Sequence, residues 1–229
     1  MAERTQVNSN KVEVRLYQVN GIEVRAVGED SATPVISGYA AVFDELSVVI
    51  DDFWSQFRER IEPGAFAASI ANDDVWALWN HNADFPIGRK KNNTLRLWED
   101  DHGLGFEITP PTTQLAAGFV ETIRSGYVDG MSFGFSVLDE EWDEDAVGQS
   151  IRTLKKIKLY EVSPCTFPAY PQSEAQVRAA LGGQGFGDKP EIPARFRRTA
   201  TDVDEVQAQA LLAIRRRRLD FMERLQPTR

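Results

Sequence analysis

Gly130-Met131-Ser132-Phe133-Gly134-Phe135-Ser136-Val137-Leu138 is the stretch that decides how this chain is read. From Phe133 onward it alternates aromatic and β-branched residues with small ones, the pattern of a strand. The first part also matches Gly-x-Ser-x-Gly, the nucleophile elbow of α/β-hydrolases. That elbow needs a helix directly after the serine, and a strand follows here instead. The segment is therefore a strand that carries a serine between two small residues, where backbones can approach closely.

Working outward, Thr112 to Ser125 has the spacing of an amphipathic helix. Thr112 or Thr113 caps it, Ala116, Phe119, Val120 and Ile123 form its apolar stripe, and Gly126 ends it. Beyond the central strand, Asp139 to Asp145 reads as an acidic loop and Ile151 to Val162 as a long strand. On the N-terminal side, Lys11 to Val27 reads as a hairpin about Asn20-Gly21, and Val35 to Phe43 as a strand. Pro63 to Ile70 reads as a short helix, Val75 to Trp79 as a buried strand, and Thr94 to Glu99 with Gly103 to Thr109 as a second hairpin. After Pro164, Pro168 and Pro171 comes a helix at Glu174 to Leu181. The composition is mainly β with peripheral helices, an α+β class.

Residues 1–10 are polar and read as a loose arm, 11–181 as the main domain, and 182–201 as a linker that begins Gly182-Gly183-Gln184-Gly185. Residues 202–229 read as a helical tail carrying Arg215-Arg216-Arg217-Arg218. Charge follows the same division. The 229-residue chain has a net charge of −9, yet the segment from Lys189 onward is basic by four and the rest acidic by thirteen. The acidic body argues against nucleic acid as a partner, with the arginine run as the one basic feature left open. One cysteine, Cys165, excludes an internal disulfide framework. No apolar run reaches the length of a membrane span, and the first residues lack the apolar centre of a signal peptide.

The two histidines narrow any histidine-dependent chemistry to His81 and His102. His102 falls in the turn Asp100-Asp101-His102-Gly103. His81 falls at the end of an apolar strand, a place that can both fix and expose a side chain. A serine nucleophile needs such a base within hydrogen-bond reach, and the base needs an orienting group. Ser132 and His81 supply the first two. Glu161, which interrupts the end of a long strand, is the leading carboxylate for the third, with Asp84 as its rival. No cluster with metal-ligand spacing and no phosphate- or dinucleotide-binding glycine pattern is present, so neither metal nor cofactor is expected.

Several of these pieces recur together. Gly38-Tyr39-Ala40-Ala41-Val42-Phe43, Glu62-Pro63-Gly64-Ala65-Phe66, Asn80-His81, Ile87-Gly88, Gly103-Leu104, Met131-Ser132-Phe133-Gly134-Phe135, Glu161-Val162-Ser163 and Pro168-Ala169-Tyr170-Pro171 stand in one order. Over about residues 35–180 the chain resembles the tailed-phage prohead maturation proteases, serine peptidases related to the herpesvirus assembly protease. The resemblance implies a herpesvirus-protease-like antiparallel β-barrel with helices around it. It implies an endopeptidase that acts in the host cytoplasm, inside the assembling prohead. Its substrates would be scaffold protein or the scaffold-like arm of the major capsid protein, and often itself. By motif His81 and Ser132 match the family's histidine and serine. Glu161 matches the position commonly given as the third member, where herpesvirus relatives use a second histidine. The competing reading is a protease-like assembly factor without activity. The cleavage site and the oxyanion donors are not written in the sequence, and a homo-oligomer stays open.

Overall fold

The computed structural model describes residues 3–4, 11–17, 22–26, 34–52, 55–166, 190 and 192–197. Among them are twelve strands: β1 (Glu3–Arg4), β2 (Glu13–Tyr17), β3 (Glu23–Ala26), β4 (Pro34–Val42), β5 (Ile50–Asp52), β6 (Ser55–Ile61), β7 (Trp76–Trp79), β8 (Asn82–Arg89), β9 (Leu95–Glu99), β10 (Gly103–Ile108), β11 (Gly130–Glu144) and β12 (Ser150–Cys165). Two helices, α1 (Ala67–Asn72) and α2 (Gln114–Arg124), complete a mainly β architecture. The chain divides into two compact units, residues 1–50 with 57–191, and residues 51–56 with 192–229. The second contains a short 3-10 turn, Ala194–Phe196, in which the Arg195 guanidinium lies 4.3 Å from the Phe196 ring centroid. The expected helix at Glu174–Leu181 and the helical tail lie outside the described residues.

The first unit is built on two sheets. In the smaller, β3, β4, β10 and β9 run antiparallel in that order. In the larger, the long antiparallel pair β11–β12 is the spine. On one edge β11 carries β1 and β2. On the other, β12 runs parallel to β6 at Ser150–Leu154 and parallel to β7 at Glu161–Val162. Inward residues of both sheets form one core. Ile36, Leu104, Phe106 and Ile108 come from the smaller sheet, and Met131, Phe133, Phe135, Leu154, Leu159 and Val162 from the larger. Phe66, just before α1, meets Phe133 edge to face at 5.5 Å between centroids, an arrangement worth about 1 kcal/mol beyond its buried area.

Local expectations hold where the sequence pattern names both an element and its neighbour. Thr113 caps α2 by accepting the Ala116 N–H, and Gly126 follows the helix with φ +72°. The β9–β10 hairpin turns where its Asp-Asp-His-Gly run predicts. Two expectations fail. Among the described residues β2 and β3 are not paired with each other as a hairpin about Asn20-Gly21 requires: β2 pairs with β11 in one sheet and β3 with β4 in the other. Alternation identifies a strand but not its partner, and here the chain crosses between sheets. Nor is Asp139 to Asp145 a loop, since β11 continues to Glu144. The acidic residues mislead because Glu140 is buried against Arg152, with Trp142 buried beside it. The Trp142 indole N–H donates to Glu140 Oε1 at 2.9 Å.

This Arg152 belongs to a buried ionic group. Its guanidinium donates to Glu13, Glu59 and Glu140 at 2.6 to 2.9 Å. Arg15 donates to Glu59 and Glu13 at 2.6 to 3.0 Å. Burial pushes the Glu13 carboxyl up, but Arg152 and Arg15 beside it more than offset this and hold it below the ordinary carboxylate range.

Gly103 opens β10 where β4 passes closest. A Cβ built there would lie 2.0 Å from the Ala41 carbonyl oxygen. Backbone atoms cannot yield as a flexible side chain does, so Gly103→Ala is expected to destabilise the fold by about 2–3 kcal/mol or more. Urea unfolding of the purified variant measures this as a lower midpoint at unchanged slope.

Candidate active site

The site begins with a tight turn. β7 and β8 are joined by Asn80 and His81, and Trp79 pairs with Asn82 across them. Both turn residues have positive φ, 50° and 59°. This is the twist-matched geometry of a two-residue hairpin, which asparagine tolerates readily and histidine less so. Hydrogen bonds to the end of β12 hold the turn. Asn80 N–H donates to Pro164 O at 3.1 Å, Thr166 N–H donates to Asn80 Oδ1 at 3.1 Å, and His81 N–H donates to Ser163 Oγ at 3.2 Å.

The imidazole is fixed as well. His81 Nδ1 lies 2.6 Å from Glu161 Oε1. An ionised carboxylate accepts only, so Nδ1 carries the proton and Nε2 is left as the basic nitrogen. The Ser163 hydroxyl donates to the other oxygen, Oε2, of the same carboxylate. The Glu161 side chain is only 12% exposed and that of His81 10%, so water competes little for this pair.

Glu161 reaches this position through a register shift. Gly134 pairs with Glu161 but Phe135 pairs with Leu159, so Tyr160 is the extra residue of a bulge. The Leu159 N–H donates to Ser69 Oγ of α1 at 2.8 Å. Gly134 matters for a second reason. A Cβ on it would stand 2.7 Å from Glu161 Oε1. In the sequence this glycine reads as a place of close backbone approach; in the structure the space is filled by the Glu161 carboxylate.

Ser132 is paired with Ser163, and Gly134 with Glu161, two positions along the same ladder. Opposed residues and their i+2 neighbours share a sheet face. Ser132, Gly134, Glu161 and Ser163 therefore lie on one face, and His81 is bonded to that face. Ser132 itself is fully buried, and its hydroxyl donates to the Arg15 carbonyl oxygen of β2 at 2.8 Å.

The rival residues are elsewhere. Asp84 is exposed on β8, with its N–H on Asn82 Oδ1. His102 is an exposed turn residue whose ring meets Tyr39 edge to face at 4.5 Å. Burial pushes the Cys165 thiol well above its ordinary pKa, and the nearby Glu161 charge adds to this, so a thiolate is disfavoured there. Ser163 was not singled out from sequence. The signal was present, because a serine two residues after a strand glutamate must share its face. Among the described residues no group of three or more His, Cys, Asp or Glu is placed to hold a metal. Among them, no helix is long and apolar enough to cross a membrane.

Comparison with known proteins agrees with the resemblance read from the motifs. The prohead protease of Enterobacteria phage HK97 is 29% identical over 175 residues, covering 74% of this chain and 71% of that one. The prohead protease of Escherichia phage T5 is 29% identical over 109 residues, 48% of each chain. Among solved structures, the bacteriophage T4 capsid assembly protease aligns at 12% identity with a TM-score of 0.43, covering 69% of this chain and 98% of that one. The sequence pattern of the family described as Caudovirus prohead serine protease matches residues 20–182, well over half the chain, and the chain belongs to that family.

Proposed function

We propose that this chain is the endopeptidase of capsid maturation, with Ser132 as nucleophile, His81 as general base and Glu161 as the residue that orients His81. Its substrates are scaffold protein or the scaffold-like arm of the major capsid protein, and the enzyme itself, inside the prohead in the host cell. Residues 11–181 form the protease domain, whose sheets we read as a relative of the herpesvirus assembly protease barrel. The linker 182–201 joins it to the basic tail 202–229. The observation that carries the reading is the 2.6 Å contact of His81 Nδ1 with Glu161, on the sheet face that Ser132 shares.

In the acylation step Ser132 Oγ attacks the peptide carbonyl carbon while His81 Nε2 takes its proton. The C–N bond then breaks as His81 returns that proton to the leaving amine. Water reverses the sequence on the acyl-enzyme. Glu161 keeps the Nδ1–H tautomer and stabilises the imidazolium as it forms. Ser163 fixes the carboxylate from its other side, as a supporting hydrogen-bond donor should. The opposing reading, an inactive assembly factor, leaves this fixed and buried pair without a purpose.

Three substitutions test the assignment. Ser132→Ala, expressed with the capsid protein, is expected to leave that protein uncut; cutting at the wild-type rate would remove Ser132 from the mechanism. Glu161→Gln can donate to Nδ1 and so favour the wrong tautomer. A loss of about 10²–10⁴ in kcat is expected, with the cooperative thermal transition retained. In Gly134→Ala the new methyl pushes on the end of a flexible side chain rather than on backbone. The protein should fold yet lose about tenfold or more in kcat through a displaced Glu161. Unchanged kcat in this variant would show that the carboxylate position is unimportant.

A further inference from the structure

If Ser132 is the nucleophile, the structure holds it in a state that cannot react. Its side chain has no exposure, and its hydroxyl is engaged by a main-chain carbonyl of the same chain, Arg15 O, at 2.8 Å. A reacting carbonyl must come to about 3–3.5 Å of Oγ. The strand that supplies this carbonyl, β2, lies directly beside the serine. It runs antiparallel along the β11 edge from Met131 to Phe135, with Leu16 opposite Ser132 and Arg15 opposite Phe133. The Ser136 hydroxyl takes the Lys11 carbonyl in the same way, so two β11 serines grip the backbone of residues 11–15.

The attachment of β2 suits release. Among its described side chains none belongs to the apolar core: Val14 and Arg15 are partly exposed, and the buried one is Glu13. Its described residues are held by the ladder, the Ser132 hydrogen bond and the ionic group, with the Arg15 guanidinium 5.6 Å from the Phe135 ring centroid. To the ionic group β2 contributes one acid, Glu13, and one base, Arg15. Withdrawing both leaves Arg152 still faced by Glu59 and Glu140. Release of one acid with one base leaves the net charge of the group unchanged, and Glu59 and Glu140 both keep Arg152 as a partner.

We propose that β2 is an intramolecular plug: residues 13–17 occupy the β11 edge along which an extended peptide pairs, and the nucleophile becomes available only when this strand is displaced. The partner for the vacated edge is an extended peptide segment, which adds to the sheet through main-chain hydrogen bonds as β2 does. This rests on the assignment of Ser132 made above.

A fluorophosphonate probe tests the proposal without a known substrate, since it forms an O–P bond with an accessible activated serine as fluoride leaves. The full chain is compared with the double variant Glu13→Gln, Arg15→Ala, following Ser132 modification by mass spectrometry and amide exchange at residues 131–135 and 103–108. The variant should label at Ser132 about tenfold faster or more, with faster exchange at 131–135 and unchanged exchange at 103–108. A synthetic peptide of residues 11–18 added to the variant should slow labelling again. Equal or slower labelling in the variant, with faster exchange at 131–135, would show that β2 positions the serine rather than hides it. So would a failure of the peptide to protect. If no form labels at Ser132 and Ser132→Ala still cuts capsid protein, the nucleophile assignment itself is wrong and the plug falls with it. If no form labels but Ser132→Ala abolishes cutting, the nucleophile stands and the plug alone is overturned.

Discussion

The register between β11 and β12 is the constraint on which the site depends. It sets Ser132 opposite Ser163 and Gly134 opposite Glu161, so a hydroxyl, a gap and a carboxylate fall on one face. A slip of one residue would turn Glu161 toward the apolar side, against Phe133 and Phe135, and carry Val162 outward. The bulge at Tyr160 is what lets the ladder satisfy two demands. Below it Ile157 and Leu159 point into the core; above it Glu161 points away from it while Val162 stays buried. At the bulge the Leu159 N–H is taken by the Ser69 hydroxyl oxygen, which keeps that donor paired. Packing and chemistry are thus served by the same strand pair.

The other end of that pair meets a different problem. Arg152, Glu140, Glu59 and Glu13 are nearly solvent-free, and a buried charge without partners would be heavily penalised. Each acid here has a guanidinium, and Arg152 has three acids. Such a group adds little net stability compared with apolar packing. It does specify which strands meet, because only the native alignment of β2, β6, β11 and β12 brings these residues together. Placing two of its members on β2 ties the N-terminal segment to the strand that bears Ser132.

Much of this was legible in the chain. The helix at 112–125 carries its own cap, stripe and terminal glycine. The pairing of His81 with Glu161 followed from asking where a carboxylate breaks an apolar strand. What could not be read was partnership over long separations. The Asn20-Gly21 hairpin was inferred from local turn chemistry, but β2 and β3 each find a better edge in a different sheet. The acidic run after Leu138 looked solvated because nothing local announces that Arg152 will neutralise Glu140. Gly134 reads only as a place of close backbone approach, since the side chain that fills the space lies 27 positions away in sequence. Ser163 was visible by its spacing from Glu161 but had no role until the turn at His81 came to rest on it.

The two halves of the proposed site are held differently, and the difference bears on what the molecule does. The imidazole is locked: its backbone sits in a left-handed turn, its N–H is bonded to Ser163, and its ring is bonded to Glu161. A strained conformation of this kind persists only where surroundings enforce it, and the hydrogen bonds to β12 do so here. The hydroxyl is held by the opposite means, through a carbonyl on a strand joined at a sheet edge. A rigid acid–base pair beside a covered nucleophile is a costly arrangement for an enzyme that works continuously. On the proposal above, keeping the base prepared and the serine covered separates the time of folding from the time of cutting. On that proposal the geometry of the His81–Glu161 pair does not have to be rebuilt when β2 is displaced, since its contacts run to β12 and not to β2.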